Sequence, residues 1–305
     1  ASPVRVGSAN DWSALTTGRW NTCGIRSGAL YCWGDNDVGL LGSADMPDQT
    51  SPLRIGSASD WTTIDLSATH ACGVRSGALY CWGTNEAGQL GTGGFASTSQ
   101  PTRIGTSGDW SRVSARGWNT CGVRGGVLHC WGDNNWGQLG DGTIAQRDTP
   151  QVVPGAGGWS AVAAGRSHTC AIRAGVLFCW GDNETGQLGD GVKAWRSTPE
   201  QVGVATDWGE IGGGYQHACG TRAGKLFCWG MGTTNITTPG QVDSATNWSA
   251  VTGGYAHTCG LRGGALYCWG DNGGRLGDGT TTQRIVPTQV GSANNWSDIT
   301  CGTYH

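Results

Sequence analysis

Residues 61–83 read WTTIDLSATHACGVRSGALYCWG. Three short strand candidates lie in this stretch. Strand a is Trp61-Thr62-Thr63-Ile64, strand b is Ala71-Cys72-Gly73-Val74-Arg75, and strand c is Ala78-Leu79-Tyr80-Cys81-Trp82. Between b and c sits Ser76-Gly77, a favourable two-residue hairpin turn. A fourth candidate, strand d, is the Pro-x-x-(Val/Ile)-Gly run, as in Pro52-Leu53-Arg54-Ile55-Gly56. No segment keeps a 3.6-residue apolar period over ten or more residues, so helices are disfavoured.

The unit recurs. Its opening tryptophan appears at Trp12, Trp61, Trp110, Trp159, Trp208, Trp248 and Trp296, in steps of 49, 49, 49, 49, 40 and 48 residues. Four short strands in about 40–50 residues make a propeller blade. Small residues follow strand a (Gly18, Ser67, Gly165, Gly213-Gly214, Gly253-Gly254, Gly302), as crowding around a central channel requires. The expectation is an all-β chain, one β-propeller domain over 1–305, with repeats starting near 12, 61, 110, 159, 208 and 248. Strand a and strand d each occur seven times, the first strand d being an N-terminal strand over 3–7. The cysteine hairpin occurs only six times. A seven-bladed type is therefore expected, with a partial repeat at 296–305 whose blade lacks its central hairpin. Either a further segment or another chain would supply that hairpin, the second by strand complementation.

Composition narrows the class. Gly accounts for 56 of 305 residues and Trp for 17, while charged residues make up 13%. No run of 18 or more apolar residues exists, so no membrane span is expected. A net charge of −3 gives no basic footprint for nucleic acid. Thirteen cysteines, and a start at Ala1-Ser2-Pro3 without Met, fit an exported protein in an oxidising compartment: extracellular, periplasmic or at a cell surface.

Hairpin counting assigns the cysteines. Outward from Ser27-Gly28, Arg26 faces Ala29, Ile25 faces Leu30, Gly24 faces Tyr31 and Cys23 faces Cys32. Alternation makes the last a non-hydrogen-bonded pair, the type with the closer Cα atoms. The same count pairs Cys72 with Cys81, Cys121 with Cys130, Cys170 with Cys179, Cys219 with Cys228, and Cys259 with Cys268. Each bridge closes a loop of about ten residues, worth roughly 2–3 kcal/mol in the chain-entropy view. Zinc-type Cys-x2-Cys spacing does not occur, and no metal or cofactor is expected. Cys301 has no counterpart in other repeats, which leaves it free, paired with a further segment, or bonded to a partner chain.

The units Cys-Trp-Gly-Asp-Asn-x-x-Gly-Gln-Leu-Gly-Asp-Gly at 130–142 and 179–191, the following Thr-Pro-x-x-Val segments, and His-Thr-Cys at 168–170 and 257–259 carry a resemblance. They resemble the regulator of chromosome condensation repeat family over essentially the whole chain. The resemblance implies a seven-bladed propeller. Its founding members are nuclear exchange factors for a small GTPase that also contact chromatin. This chain departs from them in its paired cysteines, its acidic balance and its lack of a basic tail. A secreted β-lactamase inhibitor of the same propeller type, gripping its target with one face, is nearer to these export features.

Residues repeated in every blade read as structural. The Cys-Trp-Gly tryptophans suit packing between blades. The Arg three after each first Cys suits a partner across the hairpin or a carbonyl. The Asp-Asn pairs at 35–36, 133–134, 182–183 and 271–272 suit turns, with calcium as the minor alternative. The histidines His70, His168, His217, His257 and His305 suit hydrogen bonds to a neighbouring blade better than a metal ring.

Positions that differ between repeats are the binding candidates. They sit in the a–b turns, which repeat symmetry brings to one face near the channel mouth: Arg19, Trp20, Arg116, Trp118, Arg166, Tyr215, Tyr255 and Tyr304. Trp, Tyr and Arg are the residue types enriched at binding hot spots. Trp136 and Trp195, in c–d loops, offer a second patch. No nucleophile–base pair or catalytic motif stands out, so no enzyme is expected. The reading is an extracellular scaffold for protein binding or adhesion through one face, possible also as a subunit of a surface assembly. A lectin-like carbohydrate-binding propeller is the alternative, with an enzyme inhibitor or a hydrolase behind it. The expected partner is a protein or a glycan, and self-assembly through the incomplete seventh blade and Cys301 is a further option.

Overall fold

A computed structural model describes residues 2–232 and 236–305. Strands form wherever the repeat sets two complementary runs beside a tight turn. In the unit quoted above they are β5 (Trp61–Leu66), β6 (His70–Arg75), β7 (Ala78–Gly83) and β8 (Thr98–Arg103). Each pairs antiparallel with the next along the chain. Among the described residues there are six such four-stranded sheets, the first from β1 (Trp12–Thr17) through β4 (Gln49–Arg54) and the last ending at β24 (Arg284–Gln289). The fold is an all-β, six-bladed propeller.

The b–c turn fixes the register. Ser76 and Gly77 have φ of 46° and 74°, the doubly left-handed pattern that matches strand twist in a two-residue hairpin. A side chain on Gly77 would also put Cβ 2.1 Å from the Gly108 carbonyl oxygen, so the second position must be glycine. The pairing that results is Arg75–Ala78, Val74–Leu79, Gly73–Tyr80 and Cys72–Cys81. All six expected disulfides are formed, with Cα atoms 4.0–4.2 Å apart.

The Trp-Ser-x opening has its own reason. Strand a carries a bulge after its tryptophan, so Trp61 faces Arg75 and Thr63 already faces Val74. The bulged residue's hydroxyl donates to the strand b carbonyl, 3.1 Å from Thr62 to Val74 and 3.2 Å from Ser111 to Val123.

The core lies between blades. Ile25, Leu30 and Leu40 of the first blade pack on Trp61, Ile64 and Trp82 of the second. Four Cys-Trp-Gly indoles, those of Trp82, Trp131, Trp180 and Trp229, each donate to a carbonyl of the preceding blade at 2.9 Å. Near the axis the strands a of successive blades lie against each other. There a Cβ on Gly253 would stand 2.7 Å from the Gly214 Cα, which explains the small residues.

Two expectations are corrected. A seventh blade is not formed: neither 296–305 nor the expected N-terminal strand 3–7 is a strand. A ladder needs a partner, and within these residues no strand b follows Trp296 and no strand c lies beside Pro3. The 296–305 segment instead joins the last blade to the first. Trp296 N–H donates to the Gly264 carbonyl at 3.0 Å and Thr303 N–H to the Gly18 carbonyl at 3.0 Å. Strand d starts earlier than expected, at Gln49 and not Pro52, because a proline is tolerated inside an outermost strand. Of the options left open for Cys301 the structure shows the free one: it is unpaired, 1% exposed, and its amide donates to the Thr252 hydroxyl. Burial pushes its thiol up to about 12, so it is neither accessible to a partner chain nor reactive.

Candidate functional site

Strands a and c run toward the same end of each blade, so a–b turns and c–d loops open on one face. Backbone hydrogen bonds tie them together: Asp35 N–H to the Trp20 carbonyl, Asp133 to Trp118 and Asp271 to Ala256, at 3.1, 2.9 and 2.8 Å. At the centre of this face is a cavity of about 230 Å³ at the channel mouth. Six of the eight predicted binding residues line it: Arg19, Arg116, Arg166, Tyr215, Tyr255 and Tyr304.

The aromatics form an arc. Tyr215 and Tyr255 have ring centroids 4.3 Å apart, Tyr255 and Tyr304 6.0 Å, and Tyr304 and Trp20 5.3 Å. The Arg166 guanidinium sits 4.6 Å from the Tyr215 ring centre, and Arg19 sits 5.7 Å from that of Tyr304. Trp20 thus joins the site through Tyr304 without lining the cavity. Trp118, 51% exposed, stands on the same face outside the arc. Sequence reasoning missed Arg275, whose guanidinium lies 5.4 Å from the Tyr304 ring centre. It comes from a c–d loop, and its only signal was replacing the usual Gln of Gly-Gln-Leu-Gly.

Beneath the mouth the groups are buried. Asp65 accepts from the Thr16 hydroxyl at 2.9 Å, Leu66 N–H at 3.0 Å and Ala115 N–H at 2.8 Å, so one carboxylate ties three blades. Burial raises its pKa against those hydrogen bonds and the Arg116 charge. His70 Nε2 lies 2.8 Å from the Thr120 hydroxyl, and His217 Nε2 lies 3.0 Å from that of Thr258, each in the following blade. Burial lowers His70 and His217 to about 3, and His168 and His257 to about 4, so they are neutral near pH 7. Among the described residues the histidines form no group of three converging ligand atoms; of the one acidic trio, Asp35, Asp37 and Asp48, the carboxylates of Asp35 and Asp48 accept from the Asp37 and Asn36 amides.

The Asp-Asn pairs are turn chemistry. Asn134 accepts from Leu139 N–H and donates to the Thr143 and Ala145 carbonyls, closing its loop. The hairpin arginines meet a partner across the hairpin, as expected: Arg26, Arg75, Arg173, Arg222 and Arg262 lie over the strand c rings of Tyr31, Tyr80, Phe178, Phe227 and Tyr267. Four hairpin arginines also gain a carboxylate that was not expected. Arg26, Arg75, Arg124 and Arg222 pair with Asp11, Asp60, Asp109 and Asp207, the residue just before each opening tryptophan. These pairs lie on the opposite face. Trp136 and Trp195 are exposed on c–d loops, as are Phe95 and Met231, which sequence reasoning passed over.

Models of the regulator of chromosome condensation (RCC1) repeat match residues 76–123, 125–172, 174–220 and 263–305, and a second such model matches 159–187. The chain belongs to the RCC1 repeat family. The first three matched stretches run from one b–c turn into strand b of the next blade, so RCC1 repeats and blades are offset. No protein of curated function matches in sequence. Solved structures match in fold. Human WBSCR16 aligns at 20% identity over 99% of this chain and 87% of its own, with a TM-score of 0.88. Prp20p of Saccharomyces cerevisiae aligns at 20% over 95% and 80%, with a TM-score of 0.83. The CRINKLY WD40 ectodomain of the Arabidopsis thaliana receptor kinase ACR4 aligns at 19% over 95% and 88%, with a TM-score of 0.55. No helix among the described residues is long and apolar enough to cross a membrane.

Proposed function

We propose that this RCC1-type propeller is an extracellular scaffold that binds a protein partner through the face bearing the a–b turns and c–d loops. The observation that carries the reading is the gathering there of exposed aromatics and arginines around the channel mouth, on rigid disulfide-braced blades. Six disulfides support an oxidising compartment. Prp20p, of the same fold, is described with binding properties toward Gsp1p and histones, and the ACR4 domain is an ectodomain. The reading includes no catalytic step; His70 and His217 are engaged by threonine hydroxyls of the following blade. Exposed Trp20 and Trp118 rings favour glycan stacking as a second reading.

The test uses the wild-type protein and the W20A/W118A/Y215A variant as baits against extracellular proteins of the native source, and both on a glycan array. Protein ligands specific to the wild type are expected, with an unchanged unfolding midpoint for the variant. An identical set of ligands on both baits would discard this face. Glycan binding without protein capture would favour the second reading.

A further inference from the structure

Most arginines in this molecule have a carboxylate. Arg26, Arg75, Arg124, Arg147, Arg196, Arg222, Arg262, Arg275 and Arg284 each form an ion pair with an aspartate. Among the described residues, the three that line the channel mouth form none. Arg19 and Arg166 rest over aromatic rings, a contact that orients a guanidinium while leaving its N–H edge open. Arg116 donates to the Cys301 carbonyl at 3.3 Å, and its charge is felt by buried Asp65. That carboxylate is committed to three donors of its own. The mouth therefore holds three cations over one spent anion, in a chain whose net charge is −3.

We propose that the channel mouth receives a carboxylate side chain, Asp or Glu, presented by the protein partner, with Arg19, Arg116 and Arg166 as its cationic wall. The inference rests on the assignment of this face as the docking surface. A concave site lined by one sign of charge focuses its field on an incoming opposite charge. Guanidinium forks match carboxylate geometry, and the hydroxyls of Tyr215, Tyr255 and Tyr304 add donors. Size selects the form of the ligand. The cavity of about 230 Å³ falls below the roughly 300–1,000 Å³ that encloses a drug-sized molecule. It suits the tip of a larger ligand, with the surrounding aromatics left to contact the chain that carries it.

The probes are fluorescein-labelled hexaglutamate and hexaglutamine peptides, read by anisotropy. Wild type should bind hexaglutamate at least about tenfold more tightly than hexaglutamine, the least expected of a close charge pair. The R19Q/R166Q variant should lose about tenfold or more, and so should wild type on moving from about 50 to about 300 mM NaCl. Arg103→Gln removes the same charge from an outer strand and should change binding by less than about twofold. The single variants R19Q and R166Q, each with an unchanged urea midpoint, should fall between. Equal binding of the two peptides, no hexaglutamate binding by wild type, or full retention in R19Q/R166Q overturns the proposal. Failure here with loss of partner capture in W20A/W118A/Y215A would leave the docking face standing; unchanged capture in that variant would remove the face itself.

Discussion

Both ends of the propeller carry arginine, and they use it differently. At the hairpin end four of the six b–c turns place a guanidinium beside the aspartate that opens the blade, as Arg75 lies 2.8 Å from Asp60. The pair is repeated because the Asp-Trp dipeptide is repeated. At the mouth end Arg19, Arg116 and Arg166 stand in turns that differ from blade to blade, with aromatic faces and buried neutral groups around them. Repetition satisfies the charge locally at one end; variation leaves it available at the other. The buried floor of the mouth is also where the fold is chemically most exposed to failure.

Acid should show this first and most strongly. His70, His168, His217 and His257 have folded pKa values of about 3 to 4 against 6.5 when unfolded. Below 6.5 the unfolded chain binds protons that the folded one refuses, so stability falls as pH drops toward 4. The slope approaches about 1.4 kcal/mol per pH unit for each histidine. Asp65, with a raised pKa, acts in the opposite sense, one group against four. Between pH 7 and 8 the urea midpoint should be flat; between pH 6.5 and 4 it should collapse, with a–b turn amides exchanging before hairpin amides. A midpoint unchanged down to pH 4 would mean that these imidazoles are not buried and neutral.

The next contrast sets two tryptophans against each other. Trp82 is 0% exposed, donates to the Leu40 carbonyl and packs against Trp61. Trp82→Ala should cost about 3–5 kcal/mol by urea unfolding. Trp20 is 55% exposed, and Trp20→Ala should cost under about 1 kcal/mol. A large loss at Trp20 would make the aromatic arc a piece of the core and not a binding surface.

What the sequence disclosed follows the range of each interaction. The cysteine pairing was legible because a two-residue turn fixes every cross-strand partner by counting, without knowledge of the rest of the chain. The six mouth-lining residues were legible because repeat symmetry carries each a–b turn to one face. The number of blades was not. Recurring motifs at Trp296 and Pro3 suggested strands, yet strand state depends on a hydrogen-bonding neighbour that a motif does not provide. The aspartate partner of the hairpin arginines was missed for a related reason: Asp60 and Arg75 are fifteen residues apart in sequence, and the strand a–b register, with its bulge after Trp61, brings them together. Arg173 shows the dependence in reverse. Its blade opens Gly158-Trp159, and without an aspartate there it keeps the strand c ring contact without the ion pair, 4.6 Å from the Phe178 ring centre, a contact that Arg26, Arg75 and Arg222 make beside their ion pairs.

Arg173 also sets the scale of the smallest effect. A blade closes without the ion pair, so the pair cannot be what holds the hairpin in place. In the first blade Arg26 lies 3.2 Å from Asp11, with both side chains more than a third exposed, and Asp11 also accepts from the Ser27 hydroxyl. Asp11→Asn keeps that acceptor and removes only the charge, so it should cost under about 1 kcal/mol by urea unfolding. Raising salt should shift wild type toward the variant, since exposed charges are screened. The same substitution gives the hairpin end a further guanidinium without a carboxylate partner among the described residues, as Arg173 already is. If D11N in the R19Q/R166Q background then bound hexaglutamate as tightly as wild type is expected to, an unpaired arginine alone would suffice for anion capture. The aromatic arc and the cavity would then be irrelevant to it. If it did not, recognition at the mouth depends on three guanidiniums converging, which the hairpin end, with one arginine per turn, has no means to reproduce.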